Sequence, residues 1–407
     1  MYKLVFKIAW LNLWRRLRRS MMVILMIVFS LAGLLSLQGL YEGMYQQMID
    51  NTIRSDSGEI SIFAPGYRLS KSLDDRMQTT QEVESALSQI PQVRAHTLRL
   101  QQEGLIATAR KSQGVNLIGI DADAERRFGQ LDSFMIDGVY GFGEEGNGVM
   151  LGSELAKKMV LGVNSRVIFS VQNADGDIGS VSLRVSGIFK TNNMQLDQRS
   201  AFVDLARVRE LIGVETGATQ IAISLHQRVD IPEVQQLLKT KLPEAEVMSW
   251  EELYPLIVQM QEMVGMFNSI SYLIVFVVAA LGIFGVMLVS VLERLREFGI
   301  MLAIGTPYAV VRNQVIVEAA LLGLLGYVGG CIVGGAILWV WHLHGLDLTA
   351  LSAGMESFGL NAIVIAQIKP AYFGEAFLSV FFASALSVIW PLRVLKKLHP
   401  VDVIREN

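Results

Sequence analysis

Residues 293–310 read ERLREFGIMLAIGTPYAV and lie between two long apolar stretches of the chain. The segment mixes charged side chains, such as Glu293 and Arg296, with apolar ones, such as Phe298 and Leu302. It is too short and too charged to cross a bilayer, which takes roughly 20 apolar residues. The pattern therefore predicts an amphipathic helix that joins two spanning helices at a membrane surface and is able to contact a soluble partner.

The composition around this segment is that of a membrane protein. Of the 407 residues, 52% are hydrophobic, and the mean hydropathy is +0.40. Four stretches contain no Asp, Glu, Lys or Arg: 20–41, 263–292, 319–346 and 376–392. Because lipid offers no hydrogen-bond partner to the backbone, each stretch is predicted to be a helix. With their flanks, the last three spans are expected at about 263–292, 311–343 and 371–392.

Residues 42–262, between the first two spans, have the makeup of a soluble domain, with 30 acidic and 21 basic residues. Alternating strand and helix patterns within it predict a porter-like α/β subdomain built from 58–117 and 216–255, with 118–215 inserted as a second subdomain. The predicted fold class is therefore an α-helical membrane protein with four transmembrane helices, carrying an α+β domain between its first and second spans. Residues 1–41 would hold the N-terminus and first span, and 263–407 the remaining spans.

Basic residues cluster in the first 19 residues, in the loop after residue 292 and at the C-terminal end. They are Lys3, Lys7, Arg15, Arg16, Arg18, Arg19, Arg294, Arg296, Arg312, Arg393, Lys396, Lys397 and Arg405. Short loops rich in Lys and Arg stay cytoplasmic. We therefore expect a multi-pass protein of the bacterial inner membrane, with both termini cytoplasmic and the domain of residues 42–262 in the periplasm.

Motifs that would indicate chemistry on this chain are weak. The sequence lacks the G-x-x-x-x-G-K-[ST] phosphate-binding loop, and a single cysteine, Cys331, allows no intrachain disulfide. One G-x-G-x-x-G occurs at Gly141, Gly143 and Gly146, in an acidic loop without the strand and helix that a nucleotide site requires. We predict no metal site, no catalytic residue and no nucleic-acid partner.

The stretch from Val291 to Gly330 carries a specific resemblance. It resembles the signature of the FtsX/MacB family of ABC-transporter permeases, which combines an E-R-x-x-E-[IF]-G core, an A-[IL]-G turn, a glutamate and a glycine-rich span. The matching residues here are Glu293, Arg294, Glu297, Phe298, Gly299, Ala303, Ile304, Gly305, Glu318, Gly323, Gly326, Gly329 and Gly330. The C-terminal residues 400–405 and the basic start at 9–19 also resemble the family, so the match covers the whole chain.

The resemblance implies a non-catalytic permease subunit, moved by an ATPase that binds ATP and Mg on a separate chain. Residues 293–306 would be its coupling helix, with contacts from Glu293, Arg294, Arg296, Glu297, Phe298, Gly299, Leu302 and Gly305. The physical pattern alone leaves a plain interfacial helix open. The implied partners are an ABC ATPase dimer, a second permease subunit (identical or homologous) and a periplasmic lipoprotein, chaperone or adaptor.

Within the family, the length and the tethered outer domain look most like the lipoprotein-releasing permeases. Their implied function is mechanotransmission, in which ATP hydrolysis drives periplasmic extraction of lipoprotein or other hydrophobic cargo. Two alternatives remain: a MacB-like exporter working with an outer-membrane duct, and an FtsX-like regulator of a periplasmic hydrolase. The exporter usually has a fused ATPase, and the regulator a smaller outer domain.

Three further features have two interpretations each. Gly323, Gly326, Gly330 and Gly334 on the third span favour close helix packing, either within one subunit or at a dimer seam. Met44, Met48, Met263 and Met266 flank the outer domain as a stalk that would face substrate or pack as a coiled coil. Glu318 is expected to pair with Arg312 or with a basic residue of another span, although an acid within a span is also a functional candidate.

Overall fold

A computed structural model describes residues 2–15, 17–143, 145–174, 176–191, 193–349 and 363–396. The C-terminal 400–405 motif and three of the basic residues named above, Arg16, Lys397 and Arg405, lie outside these residues. The chain forms two compact units: Met1–Tyr45 with Met260–Asp347 and Ile363–Asn407, and Gln46–Gln259 with Leu348–Ala362. We call them the membrane unit and the outer unit.

The described helices are listed in chain order. They are α1 (Tyr2–Arg15), α2 (Leu17–Thr52), α3 (Tyr67–Ser70), α4 (Gln81–Ser88), α5 (Ala122–Gly129), α6 (Ser153–Met159), α7 (Met194–Arg199), α8 (Leu205–Ile212), α9 (Ile231–Lys241), α10 (Trp250–Leu253), α11 (Pro255–Glu293), α12 (Leu295–Ala303), α13 (Tyr308–His344), α14 (Pro370–Ser387) and α15 (Ile389–Lys396).

The described strands are likewise listed in chain order. They are β1 (Ile60–Phe63), β2 (Val93–Ala107), β3 (Ser112–Ile120), β4 (Met135–Gly138), β5 (Gly148–Gly152), β6 (Arg166–Gln172), β7 (Ile178–Phe189), β8 (Ser200–Asp204), β9 (Gln220–Leu225), β10 (Glu246–Ser249), β11 (Leu346–Asp347) and β12 (Ile363–Val364).

The outer unit contains one mixed sheet in the described residues, with strand order β10-β1-β9-β2-β3-β8-β5-β7-β4. Strands of the first and last sequence blocks are neighbours, since β1 lies between β9 and β10, and β9 also pairs with β2. Strand β6 pairs with both β2 and β7, which closes a ring through β3, β8 and β5. The boundary predicted between residues 117 and 118 falls inside β3.

The cores of the outer unit follow the strand pattern. In β6, buried and exposed residues alternate, so that Val167, Phe169 and Val171 face inward and Ile168 faces out. These inward side chains pack with Leu117 of β3 and others inside the ring. Strands β6 and β7 form an antiparallel hairpin, with Val171 opposite Gly179.

The membrane unit supplies the spanning helices. Within the described residues, four helical stretches are long and apolar enough to cross a membrane: Leu17–Ser57, Pro255–Glu293, Tyr308–His344 and Pro370–Lys396. The outer unit's sheet falls between the first two in sequence, so the predicted fold class is confirmed. The last span differs in one respect, because the helix breaks at Val388. Pro391 explains the break, since it has no N–H to give to the carbonyl four residues earlier.

The glycine-rich face of α13 packs inside the membrane unit. A Cβ added at Gly326 would lie 2.8 Å from Ile27 of α2, and one at Gly330 would lie 2.7 Å from Leu31. Gly334 approaches the backbone of Ala32, and Gly323 approaches Ser384 of α14. These glycines let α13 come close to α2 and α14 of the same chain, which favours the intrasubunit interpretation over the dimer seam.

Candidate coupling site

Helix α12 occupies the centre of the predicted coupling segment 293–306. Its side chains divide into an inner and an outer set, because Phe298 is 1% exposed whereas Ile304, just past the helix end, is 76% exposed. The helix ends where Gly305 adopts φ +93°, in the left-handed region that glycine tolerates best. The segment is therefore a short amphipathic helix with one face held by the membrane unit.

Arg294 connects α12 to the spans. Its guanidinium lies over the Phe298 ring at 4.8 Å and donates to Glu297 at 3.0 Å. It also lies 3.5 Å from the Glu318 carboxylate of α13, which accepts a hydrogen bond from Ser290 Oγ of α11 at 3.3 Å. Arg294, Glu318 and Ser290 thus join α12, α13 and α11 through nearly buried polar groups.

Of the two kinds of partner expected for Glu318, Arg312 is not the one observed, and Arg294, a basic residue outside α13, takes that place. Arg312 donates instead to Asn313. Six residues on one helix turn through about 600°, which places Arg312 and Glu318 on different faces. Glu318 is therefore explained by its structural contact with Arg294, and a free acid within the membrane is not observed.

The outer face of the segment carries a mixed surface. Arg296, Glu297, Ile300, Ala303 and Ile304 are exposed and follow helical spacing from one turn to the next. Ile300 is 47% exposed and lies one turn from the exposed Ile304, so the two isoleucines form a small apolar patch. This surface, residues 296, 297, 300, 303 and 304, is called the outer face of α12 below.

Several residues predicted to contact the partner lie elsewhere. Phe298 and Gly299 are buried, and Arg294 and Leu302 are partly buried. Glu293 is exposed but forms an ion pair of 2.9 Å with Arg19. The outer face also includes Ile300 and Ile304, two apolar side chains of the amphipathic segment that follow Arg296 at i, i+4 spacing.

The predicted stalk methionines differ in exposure. Met263 and Met266 of α11 are 54% and 65% exposed, Met44 is partly buried, and Met48 is 8% exposed. Met48 is therefore not available as a substrate-facing side chain. In the membrane unit, the stalk parts of α2 and α11 are tied by Tyr45 Oη, which donates to Gln261 Oε1 at 2.9 Å.

A buried charge network in the outer unit was missed by sequence reasoning. Arg99 of β2 and Glu125 of α5 both have fully buried side chains and form an ion pair. Arg99 also lies 3.3 Å from the Asp56 carboxylate and donates to the Asp56 carbonyl, within the π-helical turn Ile53–Ser57 that follows α2. Tyr254, next to the start of α11, donates its O–H to Asp56. We call Arg99, Glu125, Asp56 and Tyr254 the arginine network.

The network joins the segment through which the chain enters the outer unit and the segment through which it leaves to the sheet of that unit. Asp56 follows α2, Tyr254 precedes α11, and Arg99 belongs to the sheet. Burial alone would lower the pKa of Arg99. The negative charge of Glu125 and the hydrogen bond between Arg99 and Glu125 outweigh burial, so the pKa of Arg99 is raised. Burial, and then the charge of Asp56, raises the pKa of the Tyr254 phenol well above its ordinary value. Arg99 therefore stays charged and Tyr254 stays a hydrogen-bond donor at neutral pH.

In the described part of the chain, four membrane-length helices, a short helix between the second and third, and an α/β domain between the first and second define a multi-pass membrane protein. Residues 20–241 match the family model described as MacB-like periplasmic core domain, and residues 269–400 match the one described as FtsX-like permease C-terminal. The chain belongs to the FtsX/MacB-type family of ABC-transporter permeases. The family predicted from the motifs is confirmed, and the outer unit is a periplasmic domain of an inner-membrane protein.

Named relatives agree with this family. The macrolide export ATP-binding/permease protein MacB of Escherichia coli is 25% identical over 399 residues, covering 92% of this chain and 56% of that protein. An uncharacterized ABC transporter permease of Methanocaldococcus jannaschii is 26% identical over 228 residues, covering 54% of each chain. The chain therefore spans about half the length of the curated MacB relative.

Solved structures of outer domains also align. The periplasmic region of MacB from Actinobacillus actinomycetemcomitans covers 49% of this chain and 91% of that chain, with 17% identity and a TM-score of 0.35. The extracellular domain of the transporter YknZ covers 47% and 99%, with 13% identity and a TM-score of 0.34. The finer resemblance to lipoprotein-releasing permeases stays a prediction.

Proposed function

We propose that the chain is a mechanotransmission permease, in which a separate ABC ATPase moves α12 and the outer unit acts on hydrophobic cargo in the periplasm. The observation that carries this proposal is the outer face of α12. It presents an exposed isoleucine pair beside Arg296 and Glu297, while Arg294 fixes the inner face to two spans. A partner that pushed on this face would move α11 and α13 through Arg294 and Glu318.

The proposed orientation follows from the charge distribution. Lys and Arg near α1, α12 and α15 favour the cytoplasmic side for both termini and for α12. ATP and Mg would be bound by the partner ATPase dimer, and a second permease subunit would complete the complex. The arginine network supports a periplasmic role for the motion, because it joins the connections from α2 and into α11 to the sheet of the outer unit.

The proposed cargo is hydrophobic, and an envelope lipoprotein is our first candidate. It is supported by the exposed apolar side chains in the first part of α11, which include Met263, Met266 and Phe267. Apolar, flexible methionines adapt to acyl chains of different shape. Macrolide-type export is the second candidate, since relatives named for macrolide export align with 92% of the chain.

The test reconstitutes the chain with the ABC ATPase that co-purifies with it, in proteoliposomes. Changing Ile304→Asp should leave basal ATP hydrolysis and membrane insertion intact while cargo release per ATP falls at least fivefold. Ile178→Asp is the matched control, because Ile178 is 78% exposed on the outer unit and takes the same substitution. Release of a lipidated protein and efflux of a macrolide are measured in parallel, so that the two cargo candidates are separated.

Equal cargo release per ATP in the Ile304→Asp and Ile178→Asp variants would reject the assigned role of α12. Loss of ATPase binding without loss of cargo release would also reject it. If the unaltered chain moves neither lipidated protein nor macrolide while Ile304→Asp still weakens ATPase binding relative to Ile178→Asp, the coupling role is kept and both cargo candidates are rejected.

A further inference from the structure

A second surface of the membrane unit, away from α12, has the features of a lipid site. A groove of about 310 Å³ lies between α13 and α14. The face of α13 contributes Ile316, Ala320, Leu324 and Tyr327, and α14 contributes apolar and aromatic side chains such as Phe377 and Phe381. Almost all of its lining is apolar, so a water molecule in the groove would find few hydrogen-bond partners.

The length of the groove matches one half of a bilayer. From Ile316 to Tyr327, α13 rises about 16 Å, at 1.5 Å per residue. The hydrocarbon core of a bilayer is about 30 Å thick, so one leaflet is about 15 Å. An acyl chain that entered at the Ile316 end would therefore lie along the whole groove and end near Tyr327.

The mouth of the groove is basic. Arg312 precedes Ile316 by one turn on the same face of α13, and Arg393 of α15 follows the other wall. The two helix ends are held together, since Tyr308 Oη donates to the Leu392 carbonyl at 3.2 Å. Both arginines are exposed, and within the described part of the chain Arg312 donates to the neutral Asn313 amide and forms no recorded ion pair.

We infer that this groove binds an anionic glycerophospholipid, with one acyl chain between α13 and α14 and the phosphate at Arg312 and Arg393. An ordinary annular lipid needs only the apolar wall, whereas this site adds two unneutralised cations at the headgroup level. Cations between helices at a membrane surface attract anionic headgroups, each with a modest contribution. The inference needs only that this end of α13 lies at a bilayer surface, so it is independent of the transport proposal.

A helix of a second protein copy is the competing occupant of an apolar groove. The charge at the mouth argues against it, because a second copy would bring its own arginines to the same leaflet. An anionic glycerophospholipid instead brings a negative phosphate to the two arginines. Lipid binding and self-association are therefore measured in the same experiment.

The test uses the purified full chain, delipidated in a neutral detergent and titrated with phosphatidylglycerol or with phosphatidylcholine of the same acyl chains. Native mass spectrometry counts the lipids bound and the copies of the chain. Arg312→Gln should weaken phosphatidylglycerol binding about fivefold and leave phosphatidylcholine binding unchanged. Ala320→Leu, which fills the groove, should weaken the binding of both lipids at this site.

The controls match each change. Arg18→Gln removes an exposed cation at the start of α2, and Ala336→Leu adds the same side chain to an exposed position of α13 outside the groove. Arg312→Lys keeps the charge and should retain phosphatidylglycerol binding. Equal binding of the two lipids by the unaltered chain would overturn the inference. The inference would also be overturned if Arg312→Gln and Arg18→Gln weakened phosphatidylglycerol binding equally. It would likewise fail if Ala320→Leu changed only the number of protein copies and not the number of bound lipids.

Discussion

Arg99 offers the sharpest test of the outer unit, because its guanidinium is fully buried with two carboxylates. Changing Arg99→Met keeps the side-chain volume but leaves Glu125 as a buried charge without its ion-pair partner. Removing one partner of a buried pair costs about 3–5 kcal/mol. The lower figure corresponds to roughly a hundredfold change in an equilibrium constant.

Hydrogen–deuterium exchange on the full chain in detergent measures this cost locally. Amides of β2, β3 and β9, which form the sheet around Arg99, should exchange about a hundredfold faster in the Arg99→Met variant. The control is Arg126→Met, because Arg126 lies 50% exposed and 3.4 Å from Asp132. A surface pair of this kind contributes about 1 kcal/mol or less, so exchange should change little.

A double variant separates lost packing from the orphaned charge. Arg99→Met with Glu125→Met removes both members of the pair, and buried pairs replaced by apolar side chains are often nearly neutral. We expect the double variant to recover most of the protection that the single variant loses. Additive losses, or a single variant that exchanges like the Arg126→Met control, would refute the reasoning.

The remaining predictions concern packing, pH and the α12 connection. Gly330→Leu should destabilise the membrane unit by about 1–3 kcal/mol through a clash with Leu31, and adding Leu31→Ala should restore much of the melting temperature in detergent. Burial lowers the pKa of His96 below its ordinary 6.5, so the unfolded chain binds this proton more readily than the folded chain does. Protection of the β2 amides against exchange should therefore fall as the pH drops below about 6.5. His96→Gln should abolish that pH dependence. Arg294→Met should remove the Arg294–Glu318 ion pair and lower the melting temperature, and adding Glu318→Gln should recover part of it; no recovery would contradict the pairing.

Much of the architecture could be predicted from composition and periodicity. Charge-free stretches of membrane length leave few alternatives to a helix, so the four spans followed directly from the sequence. The α/β makeup of the outer unit followed from its alternating strand and helix patterns. These elements are decided by local sequence, which is why a single chain was sufficient to predict them.

The arginine network could not be predicted in this way. Arg99 lies in a strand that also carries exposed charged side chains, such as Arg94 and Glu103, and nothing local indicates that its own side chain is buried. Its partners Glu125, Asp56 and Tyr254 are 26, 43 and 155 positions away, so only the tertiary fold brings them together. The same limit applies to Glu318, because its partner Arg294 belongs to another helix.

Side-chain direction within α12 was only partly predictable. The motif identified the segment, but the contact residues assigned from it included Phe298 and Gly299, which turn inward. A family pattern records every residue needed for the segment, including those that hold it to the spans. Burial in the folded chain is required to separate the two roles.

The central claim is that the outer face of α12 binds a separate ABC ATPase in the cytoplasm. The most direct measurement replaces Ile304 with a photo-crosslinking amino acid in living cells and identifies the captured protein by mass spectrometry, with Ile178 as the position on the outer unit for comparison. The account predicts that Ile304 captures a protein with an ATP-binding cassette and that Ile178 does not. Capture of that protein from Ile178, or capture at Ile304 of periplasmic proteins alone, would contradict it.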